Sequence, residues 1–243
     1  MKFFCGIHQP NKAYEFERAF ISVHSIKGRK KPFPARDWIM DSGAFTTIQK
    51  HGGYPEPVSA YAAEIRRWRD NGCLLAAVAQ DYMCETEALT RTGLTIAEHQ
   101  RLTIERYDAL IAENTGVYIM PVLQGYAAKD YIEHLRQYGD RLGPQAWVGV
   151  GSVCKRNRDP LAIWKVLEAI KDARPDLMLH GFGIKKTALE HAIIRDMLYS
   201  ADSMAWSYGE RRAYRNPNDT RAAHAFVADV ELLCAPEKPF SLT

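Results

Sequence analysis

Short apolar runs alternate with longer amphipathic stretches along almost the whole chain. The apolar runs predict strands at residues 2–7, 19–23, 38–41, 74–80, 117–123, 147–153 and 177–179, and a β-like stretch at 201–206 supplies an eighth. Between them, apolar residues recur at helical spacing over 58–70, 95–114, 129–142, 160–173, 186–198 and 220–233. Local chemistry sets several of the ends. Thr95 with Glu98 reads as a capping box, Asp159 before Pro160 as a cap with proline at the first helical position, and Asn71-Gly72 as a stop. Asn11 caps a short predicted helix running to Arg18.

Strands alternating with helices predict parallel β/α units, and runs that are apolar throughout suit strands covered on both faces. Eight strands in 243 residues match a (β/α)8 TIM barrel. An open doubly wound sheet is the alternative, but it normally has fewer strands. No composition break, Gly/Ser linker or low-complexity run divides the chain, so one α/β domain over residues 1–243 is expected.

Composition narrows the picture only a little. A hydrophobic content of 47% allows a full core, and a net charge of +3 is too small to identify a partner. No run approaches the roughly 18 apolar residues of a membrane span, and the N-terminus turns polar too soon for a signal peptide. Five cysteines with no CxxC spacing fit a reducing compartment and argue against a structural zinc site. The expectation is a cytoplasmic protein with no membrane contact, metal or cofactor.

In a barrel, active sites are built at the C-terminal ends of the strands. Those ends carry Asp41, Asp81, Gln124, Gly149 with Gly151, His180 with Gly183, and, near the last strand, Asp202. One acid at such a place is usually a cap or an ion-pair partner. Three acids and an amide at one mouth exceed what turns require. Asp41 follows the apolar Trp38-Ile39-Met40 and precedes Ser42 and Gly43, which are small enough for close ligand approach, and then the flat Phe45. That grouping suits a planar polar ligand; read blandly, it is a turn closing a core strand. No Gly-x-Ser-x-Gly elbow exists, and neither Gly149-Val-Gly151 nor Gly181-Phe-Gly183 completes a dinucleotide loop.

The loops beyond the strand ends are basic. They carry Lys27, Arg29, Lys30 and Lys31, then Lys155, Arg156 and Arg158, then Lys185 and Lys186, and finally Arg211, Arg212 and Arg215 with Tyr208 and Tyr214 interleaved. A charge run is usually a solvated face, yet such clusters around one rim of a near-neutral chain point to a polyanion.

With these residues assembled, the chain resembles the queuine/archaeosine tRNA-guanine transglycosylase superfamily, and most closely its short branch that inserts 7-deazaguanines into DNA. The resemblance rests on Asp41-Ser-Gly-Ala-Phe45, Asp81, Leu123-Gln-Gly125, His180-Gly-Phe-Gly183 and Asp202, with Gly6-Ile-His-Gln-Pro10 and Arg18-Ala-Phe-Ile-Ser22 marking the DNA branch. It implies Asp202 as nucleophile and Asp41 as general acid/base. Asp81 and Gln124 would read the base, Gly151 would add backbone contacts and Phe45 would stack. Ser42, Gly149 and His180 join the implied substrate-binding set. The partners implied are DNA and a 7-deazaguanine base, with Lys155, Arg156, Arg158, Lys185, Lys186, Arg211 and Arg212 on the nucleic acid.

Two departures separate the chain from the tRNA enzymes. Their cysteine-rich zinc motif is missing, with only Cys234 in the corresponding region, so a barrel without the zinc-binding subdomain is expected and DNA is favoured over tRNA. Met83 stands where the bacterial tRNA enzymes have Cys, and His180 where they have Met. The competing readings are the same exchange on tRNA, a non-catalytic nucleic-acid-binding partner subunit, and an unrelated barrel enzyme acting on a phosphorylated small molecule. Both Asp41 and Asp202 argue against the silent subunit.

Overall fold

The computed structural model describes residues 1–156 and 159–235, the side chain of Lys155 excepted. Among them the apolar runs form parallel strands β1 (Lys2–Gly6), β2 (Arg18–Ser22), β3 (Asp37–Asp41), β4 (Cys73–Val78), β5 (Ile119–Met120), β6 (Val122–Leu123), β7 (Trp147–Val150), β8 (Met178–Gly181) and β9 (Ser200–Ser203). The order β5-β4-β3-β2-β1-β9-β8-β7-β6 puts the first strand beside the last. β5 and β6 are two pieces of one predicted strand. Pro121 separates them because it has no N–H to give to a ladder. β5 pairs with β4 and β6 with β7, and the Pro121 carbonyl still accepts from Gly149 N at 2.8 Å. The divided segment therefore nearly closes the ring, and the fold is the (β/α)8-like TIM barrel that the alternation predicts.

Burial on both faces explains the continuous apolar strands. Trp38, Ile39 and Met40 of β3 are fully buried, and Trp38 Nε1 donates to the Asn71 carbonyl at 2.7 Å. Helix Val58–Trp68 lays Tyr61, Ala62, Ile65 and Trp68 against the sheet, each large side chain contributing about 1.5–3 kcal/mol on burial. Its Tyr61 hydroxyl donates to the Val78 carbonyl at 3.0 Å, which fixes the helix to the end of β4. The capping box at Thr95 forms as predicted, opening helix Ile96–Ala112, and Asp159 caps Pro160–Ala173.

The structure departs from the sequence reading mostly at the barrel mouth. Short helices Ala44–His51, Thr86–Thr92 and Ala205–Arg212 occupy loops that carry no obvious cap. Trp206, expected in the last strand, is buried in the third of these. Val23 opens a helical turn capped by Ser22 instead of ending β2. The Asn11 helix is a short 3-10 turn, Pro10–Glu15, with Gln9 rather than Asn11 at its cap position and Pro10 at its first. The predicted helix over 186–198 splits into Lys186–Leu189 and Ala192–Met197. No described helix is long and apolar enough to cross a membrane.

Candidate active site

Five of the nine strands deliver the polar residues of one recessed cavity of about 190 Å³, lined by Asp41, Asp81, Gln124, Gly151 and Asp202 together with Phe20, Phe45 and Phe182. Asp41 ends β3, and Asp202 sits within β9. Asp81 follows β4 and Gln124 follows β6, so the barrel brings together acids that lie far apart in sequence.

Asp41 accepts from the backbone N–H groups of Gly43 and Ser42 and from the Ser22 hydroxyl of the neighbouring strand. Ser22 is its register partner in the β2–β3 ladder. Burial, with the Asp202 charge beside it, outweighs these bonds and pushes the Asp41 carboxyl up to about 6. Gly43 makes the turn possible: its φ is +72°, and a Cβ there would lie 2.4 Å from the His24 ring. That turn starts helix Ala44–His51 and sets Phe45, half exposed, over the cavity.

Asp81 and Gln124 form the opposite wall. Gln124 Nε2 donates to Asp81 Oδ2, while Gln124 Oε1 accepts from the Ser152 hydroxyl at 2.7 Å. Ser152 in turn accepts from Cys84 N at 2.9 Å. The Gln124 backbone is held as firmly, its N–H on His134 Nδ1 and its carbonyl on Gln100 Nε2, each at 2.8 Å. Burial pushes Asp81 up to about 7, the charges of Asp41 and Glu85 adding to it and the Gln124 bond opposing it. This wall presents a carboxylate and an amide in fixed orientation, suited to the amide edge of a purine.

Two nitrogens approach one oxygen of Asp202. Gly183 N lies 3.1 Å and His180 Nε2 3.3 Å from its Oδ1. His180 is fully buried and does not line the cavity, so its expected place against the substrate is corrected to one behind Asp202. Gly149 is also displaced from the substrate-binding set. A Cβ there would meet the Phe182 ring at 2.3 Å, so Gly149 makes room for a cavity-lining aromatic. Ser42 turns away as well and lines a neighbouring cleft of about 580 Å³ with His24, Lys50 and Tyr54. At Gly151 both backbone groups are engaged, the N–H on the Leu123 carbonyl at 2.9 Å and the carbonyl by the Tyr131 hydroxyl at 2.7 Å. The feature Gly151 supplies is space, since a Cβ would fall 2.2 Å from Gln124 Nε2.

Sequence reasoning gave no site role to Phe20, Phe182, Glu85, Ser152 and Cys154, which also line the cavity. Ser152 and Phe182 adjoin the glycines that were noticed, and their neighbours' small size was the available signal. Glu85 belongs to the Asp81 loop and precedes the unforeseen helix Thr86–Thr92.

The basic rim is less free than its sequence suggests. Arg158 lies outside the described residues, as does the side chain of Lys155. Lys186 pairs with Asp229 of the last helix at 2.5 Å, Lys27 with Glu56 and Arg215 with Glu210, each at 2.6 Å. Arg156 donates to the Tyr126 carbonyl and lies 4.9 Å from that ring, and Lys185 lies 5.7 Å from the Tyr208 ring. Arg211 approaches His8 Nε2 at 3.2 Å, and Arg212 is exposed. What remains is a rim of cations over exposed tyrosines.

A barrel whose mouth gathers three aspartate carboxyl groups and an amide agrees with a family of tRNA-guanine transglycosylase-like, glycosyltransferase-type enzymes. Over residues 2–228 the chain matches the family model of DpdA, DeoxyPurine in DNA protein A, and it belongs to that family. A comparison with curated proteins finds no match.

Proposed function

We propose that this protein exchanges guanine in DNA for a 7-deazaguanine base of the preQ0 type, through a covalent glycosyl-aspartate intermediate. The observation that carries this reading is two carboxylates, Asp41 and Asp202, facing one cavity whose opposite wall is a hydrogen-bonded acid–amide pair. Family membership supports DNA as the polymer.

In this reading the base sits with its amide edge on Asp81 and Gln124 and its face against Phe45. Asp202 attacks the anomeric carbon, the C–N bond to guanine breaks, and its electron pair stays on the departing nitrogen. Asp41, held near neutrality by burial, delivers a proton to that nitrogen. The incoming 7-deazaguanine loses the corresponding proton to Asp41, attacks the same carbon and releases Asp202. The chemistry parallels retaining glycosidases, with a heterocycle in place of water as second acceptor.

The deciding experiment is nucleoside mass spectrometry on DNA and tRNA from cells expressing the protein with a deazaguanine source. Modified base in DNA is expected; modified base in tRNA alone would overturn the DNA assignment. Purified wild type should also give a protein–DNA adduct stable to denaturation. Asp202→Ala should fold normally and give none, with base exchange lost.

A further inference from the structure

Beneath Asp202 lies a chain of buried polar groups that take no part in the exchange steps themselves. Trp147 Nε1 lies 2.8 Å from Ser200 Oγ, Ser200 Oγ lies 2.8 Å from His180 Nδ1, and His180 Nε2 reaches Asp202 Oδ1. His180 and Ser200 are fully buried, and they are register partners in the β8–β9 ladder. The imidazole is packed by aromatic rings, stacked on Phe20 at 5.7 Å and edge-on to Phe182 at 4.8 Å, with Phe4 and Trp147 at 6.1 Å. Its plane is therefore fixed.

The direction of the chain follows from what each group can do. The Trp147 indole can only donate, so Ser200 Oγ accepts there. The hydroxyl keeps a second lone pair as well as its proton, so the far end of the ring decides: the attacking Asp202 carboxylate can only accept, the singly protonated ring therefore donates from Nε2, and Nδ1 is left to accept from Ser200. A ring whose Nδ1 accepts carries its hydrogen on Nε2, and that hydrogen faces Asp202 Oδ1. Gly183 N–H donates to the same oxygen.

We propose that Trp147, Ser200 and His180 form a positioning relay that locks the imidazole in its Nε2–H form and thereby selects which oxygen of Asp202 reacts. Two donors occupy Oδ1, so Oδ2 keeps its lone pairs for the sugar. When Oδ2 bonds to the anomeric carbon, Oδ1 becomes the carbonyl oxygen of a glycosyl ester and keeps both donors. When the incoming base displaces the carboxylate, those donors are already in place for the returning charge. His180 thus acts through Asp202, which distinguishes it from a residue that reads the base. The role of Asp202 as nucleophile is taken from the proposed function.

The relay is tested in two independent ways. In protein labelled with 15N-histidine, long-range 1H–15N correlation should show the fully buried His180 as the Nε2–H tautomer, and Trp147→Phe or Ser200→Ala should convert it to a mixture. A wild-type ring in the Nδ1–H form would overturn the relay whatever the activity. That spectrum needs no turnover, so the relay can stand even if base exchange fails. In kinetics on a DNA substrate, His180→Leu should lower kcat by roughly ten- to hundredfold, the worth of a hydrogen bond to a charged group, with KM for the incoming base within about twofold. His180→Gln, which retains a donor at similar reach, should recover most of that loss. Equal loss in both variants, or a change confined to KM, would sink the positioning role.

Discussion

Asp81 and Asp41 bind their protons more tightly in the folded protein than surface carboxylates do, and burial is the main reason for both. This gives the cavity a pH dependence of defined sign. Asp81 moves from 3.8 to about 7, so it is neutral in the fold at pH values where the unfolded chain has already ionised it. Stability is therefore lost as pH rises through that window, and the whole loss is present by about pH 8. Asp81→Asn keeps the shape and an oxygen for Gln124 to donate to, and it removes the charge. It should stabilise the protein by roughly 1–3 kcal/mol at pH 8 and by almost nothing at pH 4, while base binding weakens. Urea melts at the two pH values check this. A variant no more stable than wild type at pH 8 would mean that Asp81 is not held under a desolvation penalty.

Elements explain which parts of this site were legible in the sequence. The acids and the amide stood out because a parallel strand that is apolar throughout makes a polar residue at its end conspicuous, as at Trp38-Ile39-Met40-Asp41. Side-chain direction was not legible. Ser42 adjoins Asp41 and His180 opens a motif of its own, yet one faces a different cleft and the other lies behind Asp202. Those outcomes depend on strand register and on the φ of +72° at Gly43, which no spacing rule encodes. The mouth helices were missed for a related reason: the residues before Ala44–His51 and Ala205–Arg212 make no side-chain cap. The glycines of β7 and its exit are element-level features too, since each gives up a Cβ so that a neighbour can enter. Gly151→Ala should drive Gln124 off Asp81 without disturbing the ladder, raising KM for the base by about two- to tenfold, the worth of one ordinary hydrogen bond from the displaced amide. Steady-state kinetics and a thermal melt separate the effects. An unchanged KM would show that Gln124 relaxes freely and does not set the base geometry.

At the scale of the whole molecule, the nearly closed barrel gathers Asp41, Asp81, Gln124 and Asp202 around a recessed cavity of about 190 Å³, space for a base and none for a stacked pair. Under the proposed function a guanine within a duplex cannot reach Asp81, so the nucleotide has to leave the stack, which costs a few kcal/mol. The rim suits that event better than it suits intact duplex. Several of its cations are held by acids, as at Lys27–Glu56 and Lys186–Asp229, whereas Phe45, Tyr126 and Tyr208 are more than half exposed around the strand ends. Stacking on such rings returns about 1–3 kcal/mol per base, enough to offset much of the extrusion. Unpaired or mismatched guanine should therefore be exchanged faster than paired guanine, and Phe45→Ala should slow every substrate without changing their order. Exchange of radiolabelled guanine into matched, mismatched and single-stranded oligonucleotides measures both effects. Equal rates on the three substrates would mean that extrusion does not limit turnover, and a fully active Phe45→Ala would remove the stacking role while leaving the acids of the cavity untouched.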